Sequence, residues 1–175
     1  DYPRLVTPHM NWFCIHTKPL KETLSQRYLG ETLGLETYFP KLREVKRIRR
    51  VRREVTSPLF PRYLFCRFDP AHSYRAVRYA PDVLGIVSFG GTPTIVDQDL
   101  IEELRRWAGE TLDVVTIRPG LQPGDHVEIV AGPMRGLQAV ILHGMRDSER
   151  VAVLLTALNF SARAILDRSQ LERTA

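Results

Sequence analysis

The chain has 175 residues, 43% of them hydrophobic, enough for one moderate core or two small ones. No run of about 18 apolar residues occurs to span a membrane, and the opening residues lack the basic-then-apolar layout of a secretory leader. The only cysteines, Cys14 and Cys66, sit in apolar runs as buried thiols would, so no disulfide framework is expected and a cytoplasmic protein is the simplest fit.

Residues 1–10 show no clear pattern and read as an extension or a cloning remnant. Residues 11–16 (Asn-Trp-Phe-Cys-Ile-His) are aromatic and branched, as in a buried strand. Residues 21–33 place Leu24, Tyr28, Leu29 and Leu33 on one helical stripe that stops at Gly34. A short strand at 36–39 ends at Pro40. Residues 62–68 form another, with Tyr63, Phe65 and Arg67 on one face and Leu64, Cys66 and Phe68 on the other. A helix is expected at 70–79 and a strand at 83–89 that turns at Gly90-Gly91. In the next helix Asp97 is the N-cap, and Leu100, Ile101, Leu104 and Trp107 or Ala108 make the apolar stripe before Gly109. Together these elements predict an α+β sandwich over residues 11–109.

Residues 110–119 sustain no core periodicity and read as a linker. Beyond it the character changes. Residues 124–130 alternate, with Val127 and Ile129 inward, and apolar runs follow at 137–142, 151–158 and 164–166. Short strands between glycine turns within residues 120–175 suggest a small β-barrel.

The net charge of +5 is concentrated. Residues 41–54 carry eight cations (Lys41, Arg43, Lys46, Arg47, Arg49, Arg50, Arg52, Arg53) against Glu44 and Glu54, so the rest of the chain is close to neutral. Such a run is often only a solvated face. An excess this dense instead suits phosphate oxygens, and Lys46, Arg47, Arg49, Arg50, Arg52 and Arg53 are candidate nucleic-acid contacts. Within it Val45, Ile48, Val51 and Val55 are spaced by three and four, which taken alone predicts a basic amphipathic helix.

Catalysis finds little support. His9, His16, His72, His126 and His143 make no metal-ligand spacing with either cysteine, and no glycine-rich loop matches a nucleotide-binding pattern. No enzyme activity, metal or cofactor is expected.

Two motifs go further. Gly124, Asp125, Val127, Gly132 and Gly136 frame a strand and a turn that needs glycine at both ends. Upstream stands Pro58-Leu59-Phe60-Pro61-Arg62-Tyr63-Leu64-Phe65. The first resembles a KOW element, and the pair in this order resembles the NusG family of transcription elongation factors. Residues 89–96 (Phe-Gly-Gly-Thr-Pro-Thr-Ile-Val) and 136–139 (Gly-Leu-Gln-Ala) are similar to its RfaH-like branch. Two departures stand out: residues 73–78 lack that branch's His-Thr-Thr run, and Ser57 replaces a glutamate that helps hold its two domains together.

The resemblance implies an NGN-type domain followed by a KOW barrel, and a protruding β-hairpin in place of the basic helix. It implies a monomer that binds the clamp helices of RNA polymerase through Tyr63, Phe65 and Phe89, with Cys14 and His16 beside them. Core aromatics are the plainer reading of those rings. It further implies that Lys18, Arg27 and the basic arm touch upstream or non-template DNA. Leu158, Asn159 and Phe160 would recruit a small-subunit ribosomal protein or Rho. The KOW region of RfaH-like proteins can instead form a helical hairpin on the polymerase-binding patch, and here Val151, Leu154, Leu155 and Leu158 also fit a helical stripe. With Ser57 weakening the interdomain lock, the barrel is expected as the resting form. The alternative is a KOW-containing RNA-binding or ribosome-associated protein, against which the neutral charge of the barrel speaks.

Overall fold

The computed structural model describes residues 9–108, 114–116, 150, 151, 154, 155 and 158. In chain order the elements are β1 (Asn11–Thr17), α1 (Glu22–Arg27) continuing into a π-helical turn (Tyr28–Thr32), β2 (Glu36–Tyr38), β3 (Lys41–Ile48), β4 (Val51–Pro58) and β5 (Tyr63–Phe68). There follow α2 (Pro70–Arg78), β6 (Val83–Ile86), β7 (Ser88–Phe89), β8 (Thr92–Pro93), β9 (Ile95–Val96), α3 (Gln98–Ala108) and β10 (Val114–Thr116).

The aromatic and branched run at the start becomes the central strand of the main sheet, ordered β2-β5-β1-β6 with β9 also paired to β1. Strand β5 runs antiparallel along β1 from Asn11↔Phe68 to His16↔Tyr63. On the other edge β6 covers Ile15 to Thr17 and β9 covers Trp12 and Phe13. The single strand expected at 83–89 is therefore two. At Val87, whose N–H donates to the Cys14 carbonyl at 2.9 Å, the chain leaves that edge. It makes the small β7–β8 hairpin through Gly90 and Gly91, at φ 63° and 79°, and returns as β9.

Strand alternation sends side chains to two cores. Phe13, Ile15, Leu64, Cys66 and Phe68 pack beneath α1 and α2 with Leu29, Val77 and Ala80. Trp12, Cys14, Tyr38 and Phe65 face the other way and meet Leu100, Ile101 and Leu104 of α3. The face assignment read from β5 holds. The stripe read on the first helix holds for Leu29, Tyr28 and Leu33 but not for Leu24, which is exposed while Glu22 and Ser25 turn inward. The π-helical turn, closed by Leu33 N–H to the Tyr28 carbonyl at 3.2 Å, widens the repeat and so breaks a stripe counted at 3.6 residues per turn. Gly34, at φ 67°, ends it as expected.

Both later helices are capped as their sequences indicate. Asp69 accepts from the Ala71 N–H and Asp97 from the Asp99 N–H, each at 3.0 Å. Helix α3 is also tied to the sheet by polar contacts. Trp12 Nε1 donates to Gln98 Oε1 at 2.8 Å, and the Arg105 guanidinium lies over the Trp12 and Tyr38 rings at 5.3 and 5.1 Å while reaching Glu36 at 3.1 Å.

The basic segment is a hairpin, paired from Lys41↔Pro58 to Ile48↔Val51. Its helical spacing is overridden at the roots. Leu42 on one strand and Leu59 and Phe60 just after the other are buried in the α3-side core, and the Leu59 N–H donates to the Pro40 carbonyl at 2.9 Å. Anchoring both ends at one place forces the chain out and back.

Among the described residues of the C-terminal part, regular structure occurs at two places. The stretch read as a linker contains β10, paired parallel to the root of β3 from Val114↔Lys41 to Thr116↔Arg43. Its Val-Val-Thr sequence is β-branched throughout and meets an open strand edge. The run at 151–158 was expected as a barrel strand. Instead Arg150, Val151, Leu154, Leu155 and Leu158 are helical, and Leu154 and Leu158 are buried in the core cluster under α3. Spacing of three and four meets an apolar surface there, and tertiary burial selects the helix. The KOW residues Gly124, Asp125, Val127, Gly132 and Gly136, with Asn159 and Phe160, lie outside the described residues.

Leu104→Ala should lower the unfolding free energy by about 2–5 kcal/mol in urea titration, because it opens a cavity between α3 and the sheet. Arg47→Ala, on the exposed hairpin, should change it by less than about 0.5 kcal/mol.

Candidate docking face and cationic hairpin

The aromatic residues singled out from the sequence do meet on one side of the sheet, but not as an open patch. Phe65 and Cys14 are cross-strand partners, and both are fully buried. Phe65 lies edge-on to Phe60, with ring centroids 6.3 Å apart. Tyr63 and Phe89 are partly buried against the same cluster, along with Val87 and Val151. His16 stacks on Tyr63 with centroids 4.6 Å apart and planes 8° from parallel. Leu154 and Leu158 complete this cluster from the C-terminal part, so Leu158, a candidate for recruiting a partner, is sealed here.

The C-terminal helical residues are held by a polar contact as well. Arg150 is buried, and its Nε donates to the Leu59 carbonyl at 2.8 Å. A charged donor makes such a bond stronger than a neutral one. The Ser57 hydroxyl is buried without a hydrogen-bond partner among the described residues.

Titration follows the same layout. Burial, and then the Arg62 guanidinium, hold the His16 imidazole below its usual range. Burial raises the Tyr63 phenol, with Cys14 adding and Arg62 opposing. Cys14 is driven far up by burial, and Cys66 is pushed up to about 12 by burial and then by Glu36. Both thiols are inert hydrophobes at neutral pH. Arg62 was not singled out from the sequence. Its backbone, at φ 72°, is held by N–H donation to the buried Glu22 carboxylate at 2.9 Å and by carbonyl acceptance from Thr17 at 2.8 Å. Those contacts join residues far apart in sequence, which local patterns do not reveal.

The cations divide between elements. Lys18 follows β1 and pairs with Asp82 at 3.6 Å, while Arg27 is exposed on α1. Lys46, Arg47, Arg49, Arg50, Arg52 and Arg53 all lie exposed on the β3–β4 hairpin. Lys46 pairs with Glu44 at 3.2 Å; the five arginines have no acidic partner among the described residues. Arg49 and Arg50 are the two-residue turn, both left-handed at φ 50° and 68°. That conformation costs about 1–2 kcal/mol for each non-glycine residue, and Asn-Gly is the favoured pair for such a turn.

The profile of the family described as transcription termination factor NusG matches residues 10–105, more than half of the chain. The chain belongs to the NusG family. Its members are transcription factors that bind RNA polymerase and are not enzymes. A solved structure of domain interaction in Thermotoga maritima NusG is 27% identical, covers 71% of this chain and 75% of that one, and superposes with a TM-score of 0.43. Among the described residues of this NusG-family chain, no helix is long and apolar enough to cross a membrane.

The His16 shift predicts an acid-sensitive face. A histidine whose folded pKa is depressed adds stability above its unfolded value, near 6.5, that is lost as pH falls toward the folded one. The melting temperature should therefore drop between pH 7.5 and 5.5. His16→Phe keeps the stack on Tyr63 and should flatten that drop; an unchanged slope would assign it to another group.

Proposed function

We propose that this protein is a transcription elongation and antitermination factor, a specialised member of the NusG family in which the C-terminal part regulates access to the polymerase-binding face. The observation that carries the reading is the packing of Leu154, Leu158 and Val151 onto the cluster that contains Phe65, Tyr63 and Phe89. An apolar sheet face suited to a partner helix is occupied by the chain's own helical residues. In the same reading Tyr63, Phe89 and His16 form the accessible rim of the face that takes the polymerase clamp helices, while Phe65 and Cys14 support it from below.

The functional cycle then has two arrangements. In the closed one the apolar stripe of Val151, Leu154 and Leu158 lies on the face, held in part by Arg150. In the open one polymerase replaces it, and residues 120–175 form the KOW barrel, in which Leu158, Asn159 and Phe160 recruit a small-subunit ribosomal protein or Rho. A ligand moves such an equilibrium only by its differential affinity for the two states. Lys18, Arg27 and the hairpin arginines meet upstream or non-template DNA, and holding polymerase across its cleft suppresses pausing.

Leu154→Asp with Leu158→Asp should lower the far-UV helical signal and raise retention of the full chain on immobilised core RNA polymerase. In that open background, Tyr63→Ala with Phe89→Ala should reduce retention about tenfold or more. Retention unaffected by either pair would remove the face from the reading. For DNA, the logarithm of the binding constant should fall linearly with the logarithm of salt, and Arg47→Ala plus Arg52→Ala should make the slope shallower by about two.

A further inference from the structure

We propose that the tip of the β3–β4 hairpin is a wedge for the junction where duplex DNA opens into two single strands. Ile48 and Val51 would sit against the last base pair, and the flanking arginines would hold the diverging backbones. This rests on the reading that the hairpin contacts DNA, and adds which form of DNA it prefers and which atoms decide.

The first observation is an aliphatic pair in an unfavourable place. Ile48 and Val51 face each other at the last register position before the turn, 43% and 54% exposed, on a ribbon whose other exposed aliphatic side chain, Val45, lies on the opposite face and nearer the roots. Phosphate oxygens offer them nothing. The faces of bases do, and proteins that open or bend DNA use residues such as isoleucine as wedges between base steps.

The second is how the cations are distributed. Lys46 and Arg53 are directly paired on the face that carries Ile48 and Val51, while Arg47 and Arg52 are paired on the opposite face. A ribbon lying along one backbone would need only one cationic face. One with cations on both suits backbones on either side, as between two separating strands. The two acids of the arm, Glu44 and Glu54, lie on the root side of these pairs.

The third is the turn. Arg49 and Arg50 occupy consecutive left-handed positions where Asn-Gly would relieve the backbone. Strain of this kind is characteristic of functional sites. Here it places two guanidinium groups beyond the aliphatic pair, where the parting strands would run.

The test uses the full chain and three fluorescent DNAs of matched sequence: an intact duplex, a single strand, and a duplex with two non-complementary arms. Binding is read by anisotropy, and a 2-aminopurine at the junction reports base stacking. Wild type should bind the forked DNA about tenfold more tightly than the duplex and change the 2-aminopurine signal. Ile48→Ser with Val51→Ser should bring forked binding down to the duplex level, abolish the signal change and leave duplex affinity within about twofold; Ile48→Leu with Val51→Leu should restore both. Arg49→Asn with Arg50→Gly should raise the melting temperature while weakening all three DNAs.

Equal affinity for fork and duplex in the wild type, or a preference that survives the serine pair, would overturn the wedge and leave DNA contact standing. Absence of binding to any of the three DNAs would remove the underlying reading. Capture by polyglutamate without a preference among DNAs would assign the arm to an acidic protein, and overturn the proposal too.

Discussion

Burial of β1 on both faces is the constraint from which the rest of the molecule follows. A strand with Trp12 and Cys14 on one side and Phe13 and Ile15 on the other requires two separate covers. Helices α1 and α2 supply one. Helix α3 supplies part of the other, pinned by the Trp12–Gln98 hydrogen bond and by Arg105 across two rings and Glu36. What α3 leaves is an apolar surface beside Tyr63 and Phe89, and there Leu154 and Leu158 settle.

That incomplete cover links stability to function. A face that must be apolar to take a partner helix is also a face that water penalises, by roughly 25 cal/mol for each Å² of apolar surface left exposed. Covering it with a segment of the same chain removes the penalty while keeping the face available to a competitor. The buried Arg150 is a sensible contact for such a cover. A buried guanidinium needs several acceptors, and the Leu59 carbonyl at 2.8 Å supplies one without adding a second charge.

The hairpin obeys the opposite logic. Its roots are tied to the core by Leu42, Leu59 and Phe60, and toward the tip, from Val45 to Glu54, it is exposed and mostly cationic. Little packing depends on it, so its residues are free to answer to a ligand. That freedom accounts for a tip that carries arginines in left-handed positions and an exposed aliphatic pair.

Much of the N-terminal fold was legible in residue order. Alternation in residues 63–68 assigned the two faces of β5, Asp97 marked the start of α3, and Gly34 the end of the first helix. The NusG-family resemblance was legible in Pro58 to Phe65 and implied the hairpin that local spacing contradicted. Patterns of this sort are written within a few residues, because strand and helix periods and capping bonds are local. The outward turn of Leu24, the strand β10 at residues 114–116, and the helical state of Val151, Leu154, Leu155 and Leu158 were not. A wider helical turn, an open edge of β3, and an uncovered part of the α3-side core decided those. Each is a surface assembled from residues far apart in the chain. An apolar run that suits strand and helix alike takes whichever form the available surface lets it bury.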